Sequence, residues 1–113
     1  MNIIWEKPTD EMYERYLILE LEPNRIDNTV MDTWCVVESE KIPMTELIML
    51  EHWKKLHNEF VEANKAGNAK LCYDLAEHLT GKFGGELDTF YEEVCKRYKH
   101  DTKIEILDQD LDY

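Results

Sequence analysis

Met49-Leu50-Glu51-His52-Trp53-Lys54-Lys55-Leu56-His57-Asn58-Glu59-Phe60-Val61 is the stretch on which the fold turns. At 100° per residue, Met49, Leu50, Trp53, Leu56, His57, Phe60 and Val61 fall on one side. Lys54, Lys55, Asn58 and Glu59 fall opposite. That period belongs to an amphipathic helix, because only a helix gathers residues three and four apart on one face. Extended outward, the pattern predicts a helix over 45–66. Pro43 lies just before it, and Gly67 sits where a helix stop is expected.

The downstream sequence supplies two partners for that apolar side. Leu71, Cys72, Leu75, Ala76 and Leu79 form a stripe that predicts a helix over 68–80, with Asn68 as its N-cap. The turn Ala66-Gly67-Asn68 makes a helical hairpin of the two. Leu87, Phe90, Tyr91, Val94 and Tyr98 predict a third helix over 87–99. Its start reads as a capping box, Thr89 to Glu92. Glu92 with Lys96, and Glu93 with Arg97, are spaced as i,i+4 pairs on its wet side. Gly81-Lys82-Phe83-Gly84-Gly85 connects the second and third helices.

Upstream, the period changes. Residues 9–15 read as a short helix feeding a strand over 16–22, with Leu17, Leu19 and Leu21 on one side. Residues 23–28 read as a turn or loop. Thr33-Trp34-Cys35-Val36-Val37 reads as a second strand and 102–107 as a third. The expected fold is α+β: three amphipathic helices on a small antiparallel sheet formed by N- and C-terminal segments. An all-α fold is the alternative. The 113 residues form one domain, with 108–113 an acidic tail.

Charge restricts the function classes. With 25 acids against 13 bases, the net charge is −12. It divides as −6 over 1–43, −2 over 44–100 and −4 over 101–113. Such a field repels phosphate backbones and anionic membranes, so neither direct nucleic-acid binding nor membrane binding is expected. A protein partner with a basic surface is. The N-terminus has neither a basic start nor a long apolar core, as a signal peptide requires. Cys35, Cys72 and Cys95 are odd in number and lack a Cys-x-x-Cys spacing. That argues for a reducing, cytoplasmic setting and against a disulfide framework or zinc knuckle.

Catalytic patterns are missing. Ser39 is the only serine, and no serine or cysteine has a base at recognisable spacing. His57 lies mid-stripe and reads as a hydrogen-bonded core histidine, since His52, five residues away, points elsewhere. Asp108, Asp110 and Asp112 open like a calcium loop but lack its glycine and glutamate. Residues 81–85 have the wrong spacing for a phosphate loop. Lys96, Arg97, Lys99, His100 and Lys103 suit a helix C-terminus. No catalytic residue, cofactor or metal ligand is assigned, and a non-enzymatic role is expected.

One feature does not fit a simple amphipathic helix. Leu47-Ile48-Met49-Leu50 is apolar around most of the helix circumference, so Leu47 and Ile48 project to the polar side. Coverage by the sheet is the expected resolution. Left uncovered, that turn is a partner-binding surface or a homodimer contact. Trp5 and Tyr113 are candidate aromatic anchors beside it, and Trp34 is expected in the core.

Two stretches, 33–43 (Thr33-Trp34-Cys35-Val36-Val37-Glu38-Ser39-Glu40-Lys41-Ile42-Pro43) and 76–91 (from Ala76-Glu77-His78-Leu79 through Asp88-Thr89-Phe90-Tyr91), resemble small accessory proteins of tailed bacteriophages. The resemblance implies a protein acting in an infected bacterial cytoplasm or packed in a virion, and carries no residue roles. The readings that follow are a module that binds and modulates a host or phage protein, a nucleic-acid mimic that inhibits a DNA- or RNA-binding enzyme, or a virion structural or assembly component.

Overall fold

Thr9 opens the first helix by accepting a hydrogen bond from the Met12 amide, which satisfies a backbone donor that the first turn leaves free. A computed structural model describes residues 1–101, and the elements run in the order β1 (Asn2–Ile4), α1 (Asp10–Arg15), β2 (Leu17–Glu20), β3 (Asn24–Ile26), β4 (Thr29–Met31), β5 (Trp34–Val37), α2 (Met44–Leu47), α3 (Leu50–Lys65), α4 (Ala69–Leu79) and α5 (Asp88–Asp101). The arrangement is α+β, with a three-stranded antiparallel sheet.

That sheet has the order β1-β5-β2, with Ile3 opposite Cys35 and Leu19 opposite Cys35 on the other side. Side chains opposite one another share a face. Leu17, Leu19, Cys35 and Val37 therefore point together at the helices, and all four are buried. The sheet described here comes entirely from the first 37 residues. The strand expected over 102–107 and the tail over 108–113 lie outside the described residues.

Two short elements correct the loop readings. Residues 23–28 are not simply a loop. They enter a hairpin in which β3 and β4 pair through Asn24–Met31, Arg25–Val30 and Ile26–Thr29. Asp27 and Asn28 both take positive φ, 49° and 67°, as a two-residue hairpin turn demands. β1, not anticipated at all, adds an edge to the sheet. Trp34, expected in the core, is only half-buried; it sits on the opposite sheet face from Cys35, beside Tyr13, Tyr16 and Ile18.

The helical layer follows the predicted stripes. Phe60, Val61, Cys72, Leu75, Ala76, Leu79, Leu87, Phe90, Tyr91 and Val94 are buried, with Leu50, Trp53, Leu56 and Tyr98 packed against them. Each fully buried large apolar side chain contributes about 1.5–3 kcal/mol. Phe60 meets Phe90 and Tyr91 edge to face at 5.6 and 5.0 Å, and Phe90 and Tyr91 lie tilted to each other at 5.7 Å. Asn68 caps α4 by accepting from the Leu71 amide. Leu71, placed in the buried stripe, is exposed.

The predicted helix over 45–66 is broken. α2 ends at Leu47 and α3 begins at Leu50. Met49, at φ −102° and ψ 9°, leaves the helical region, and its amide bonds back only three residues to Glu46. The Glu46 carboxylate accepts from the Gly84 amide at 3.4 Å, so this turn is fastened to the loop before α5. α5 itself starts at Asp88, one residue ahead of the Thr89 cap that the sequence suggested.

Candidate functional site: an exposed apolar turn

The stripe left open by the helix break is made of Met44, Leu47 and Ile48, spaced i, i+3, i+4 on α2 and its C-cap. A single helical turn brings these positions to one side. Met44 is 82% exposed, Leu47 46% and Ile48 88%, with Met49 adjoining at 45%. The expected coverage of Leu47 and Ile48 by the sheet does not occur. Met49, read as part of the buried face, also stands at the surface.

Local structure holds the turn outward. Ile42 is buried and anchors the chain just before Pro43. Glu46, on the far side of α2, reaches the Gly84 amide. Gly84 has φ +67°, and a Cβ there would stand 2.1 Å from the Lys41 carbonyl oxygen. The glycine run thus works as a close-approach surface for the segment that presents α2. Lys82 from the same run lies 4.5 Å above the Trp53 ring, which shields that indole.

The other sequence candidates are dispersed. Trp5 is exposed, but it stands over a groove shared with Ile3, Phe90 and Glu93 and beside another lined by Ile4, Lys7 and Met12; neither includes a residue of α2. Tyr113, Asp108, Asp110, Asp112 and Lys103 lie outside the described residues. In the basic cluster, Lys96 pairs with Glu92 at 3.0 Å. Arg97 turns to Glu22, not to Glu93. Asn64 donates to the same Glu22 carboxylate, and Tyr98 donates to Asn64. Lys65 holds Glu20 at 2.7 Å. These contacts fasten the end of β2 to α3 and α5.

His57 is a core group. Its Nε2 lies 2.6 Å from the Glu20 carbonyl oxygen, and its Nδ1 2.8 Å from the Tyr91 hydroxyl. A carbonyl only accepts, so Nε2 carries the proton and Nδ1 accepts from Tyr91. Burial lowers the imidazole pKa to about 4, against a smaller upward pull from Glu20. The ring is neutral at physiological pH and fully buried, with no open path to a substrate. Burial pushes the Cys35 and Cys72 thiols up to about 11, which leaves little thiolate for nucleophilic chemistry. Among the described residues, no three His, Cys, Asp or Glu side chains gather to hold a metal ion, and no helix is long and apolar enough to cross a membrane.

No family model, curated protein or solved structure matches the chain. The exposed α2 turn could have been found from its sequence: four consecutive apolar residues cannot all face one core from one helix. The Trp5 groove could not, since it needs the pairing of β1 with a strand thirty residues away.

Proposed function

We propose that this protein is a non-enzymatic protein-binding module whose docking face is the Met44, Leu47, Ile48 stripe of α2. The observation that carries the reading is the near-complete exposure of Ile48 and Met44 on one side of one turn. Large aliphatic and thioether side chains held in water at helical spacing gain free energy when a partner covers them. A methionine in the patch adapts to an irregular partner surface. The occupant is a host or phage protein, met in the cytoplasm of an infected bacterium, and its basic groups would complement the chain's negative field.

The surface acids favour this reading over imitation of nucleic acid. Glu11 pairs with Arg15, Glu51 with Lys54, Glu62 with Lys65 and Glu92 with Lys96. A phosphate mimic requires an unbroken row of carboxylates, and here bases interrupt the helical rows.

Affinity capture from the native cell tests the proposal, with wild type and Ile48→Glu compared side by side. The reading expects a specific partner on the wild type and its loss on the variant, with unchanged circular dichroism. Recovery of the same partner by both proteins contradicts it.

A further inference from the structure

We infer that the outer edge of β1 is a second docking site, which takes an extended, lysine- or arginine-bearing segment of a partner protein as an added strand. Among the described residues, β1 is the end of the sheet order and pairs only with β5. Among the described residues, no hydrogen bond from outside the sheet reaches residues 1–5, and the one ion pair there joins the Met1 ammonium to Glu86 at 4.0 Å. An open edge presents unpaired backbone donors and acceptors, and an extended chain satisfies them.

The side chains specify the occupant further. Ile3 in β1, with Met1 and Trp5 flanking the strand at alternate positions, stands with them over a groove whose walls include Phe90 and Glu93, each of the three more than two-fifths exposed. Period-two spacing selects a partner strand with apolar residues at alternate positions. Glu93 supplies the charge preference. The cation spaced to pair with it, Arg97, is engaged by Glu22, and Lys96, close enough to feel the Glu93 charge, is hydrogen-bonded to Glu92 instead. A lysine or arginine beside the apolar residues would complement it. A second copy of this chain is a poor occupant, because each copy carries −12.

The probe is the peptide Lys-Thr-Val-Thr-Val-Thr-Lys, titrated into the isotope-labelled chain and followed through amide chemical shifts. One face of that strand is valine flanked by lysine. The inference expects shifts confined to residues 2–5 and 89–93. Glu93→Gln weakens binding about two- to fivefold, the worth of one exposed charge pair. Trp5→Ala weakens it about tenfold or more, from lost apolar contact. Replacing the peptide's lysines by glutamate, or its threonines by proline, abolishes the shifts. Ile48→Glu leaves the titration unchanged, so this site and the α2 face fail independently. The inference is overturned if residues 2–5 stay unmoved at about 1 mM peptide. Equal binding of the glutamate peptide overturns it too, as does pairing of the chain with itself through β1 in sedimentation.

Discussion

The Tyr91 hydroxyl donates to Nδ1 of His57 across 2.8 Å, and so joins the start of α5 to the middle of α3. The other ring nitrogen donates to the Glu20 carbonyl, which ties β2 into the same chain of bonds. One imidazole thereby cross-links the sheet and two helices inside the core. Buried polar groups of this kind are tolerated only when every donor and acceptor is matched. No buried side-chain nitrogen or oxygen among the described residues lacks a partner.

Tyr91→Phe removes the hydroxyl and strands Nδ1 without a donor. The expected loss is about 1–3 kcal/mol, the cost of an unsatisfied buried acceptor. Urea unfolding at pH 7 measures it. A variant as stable as wild type would mean that the hydroxyl does not serve His57.

The same histidine sets a pH dependence. Its folded pKa, about 4, lies below the ordinary 6.5. Between those values the unfolded chain binds a proton that the folded chain refuses. The contribution is therefore complete above pH 6.5 and is lost progressively as pH falls toward 4. The total is about 3 kcal/mol, from about 1.4 kcal/mol per pKa unit. His57→Gln, which does not titrate, is expected to flatten that part of the stability profile. An equally steep profile in the variant would contradict the assignment.

Gly84 and Gly67 both have positive φ, and alanine separates their roles. At Gly67 a Cβ meets open space, so Gly67→Ala is expected to cost only the left-handed penalty, about 1–2 kcal/mol. At Gly84 the Cβ would collide with the Lys41 backbone as well, and the loss is expected to be clearly larger. Equal losses in thermal unfolding would show that the Lys41 approach does not constrain the loop.

Much of this fold is legible in sequence, for reasons particular to each element. The stripes of α3, α4 and α5 announce themselves because burial of Phe60, Leu79 or Val94 needs only the helical period. The break at Ile48 and Met49 is not announced. No glycine or proline marks it, and the bond that accompanies it joins Glu46 to an amide 38 residues away. The β3–β4 hairpin hides behind three-residue strands, although Asp27-Asn28 is a recognisable positive-φ turn. His57 is identifiable as a core residue from its place in the stripe, but its partners Tyr91 and Glu20 come only with the tertiary fold. At the candidate site, the apolar run 47–50 flags the place, and the structure adds Met44 and shows that no described residue covers it.

Thiol labelling checks the core independently. Cys35 and Cys72 are fully buried with raised pKa values, so native protein is expected to protect both from an alkylating reagent at pH 8. Both should react in denaturant. Rapid modification of either in the native state would contradict the burial of Cys35 in the sheet or of Cys72 on α4.

Ile48→Glu should leave stability within about 0.5 kcal/mol of wild type, because the side chain is already in water. Light scattering on both proteins reads the homodimer option. A wild-type dimer that the variant converts to monomer would make a second copy the occupant of α2, and an unchanged monomer mass in both would leave the face to another protein.

The most direct measurement places a photo-crosslinking amino acid at position 48 in the native cell, with position 13 on exposed α1 as the control. The account predicts one dominant adduct to a different protein from position 48, and none of that species from position 13. Absence of any adduct at 48, or the same adducts from both positions, would contradict a docking face on α2.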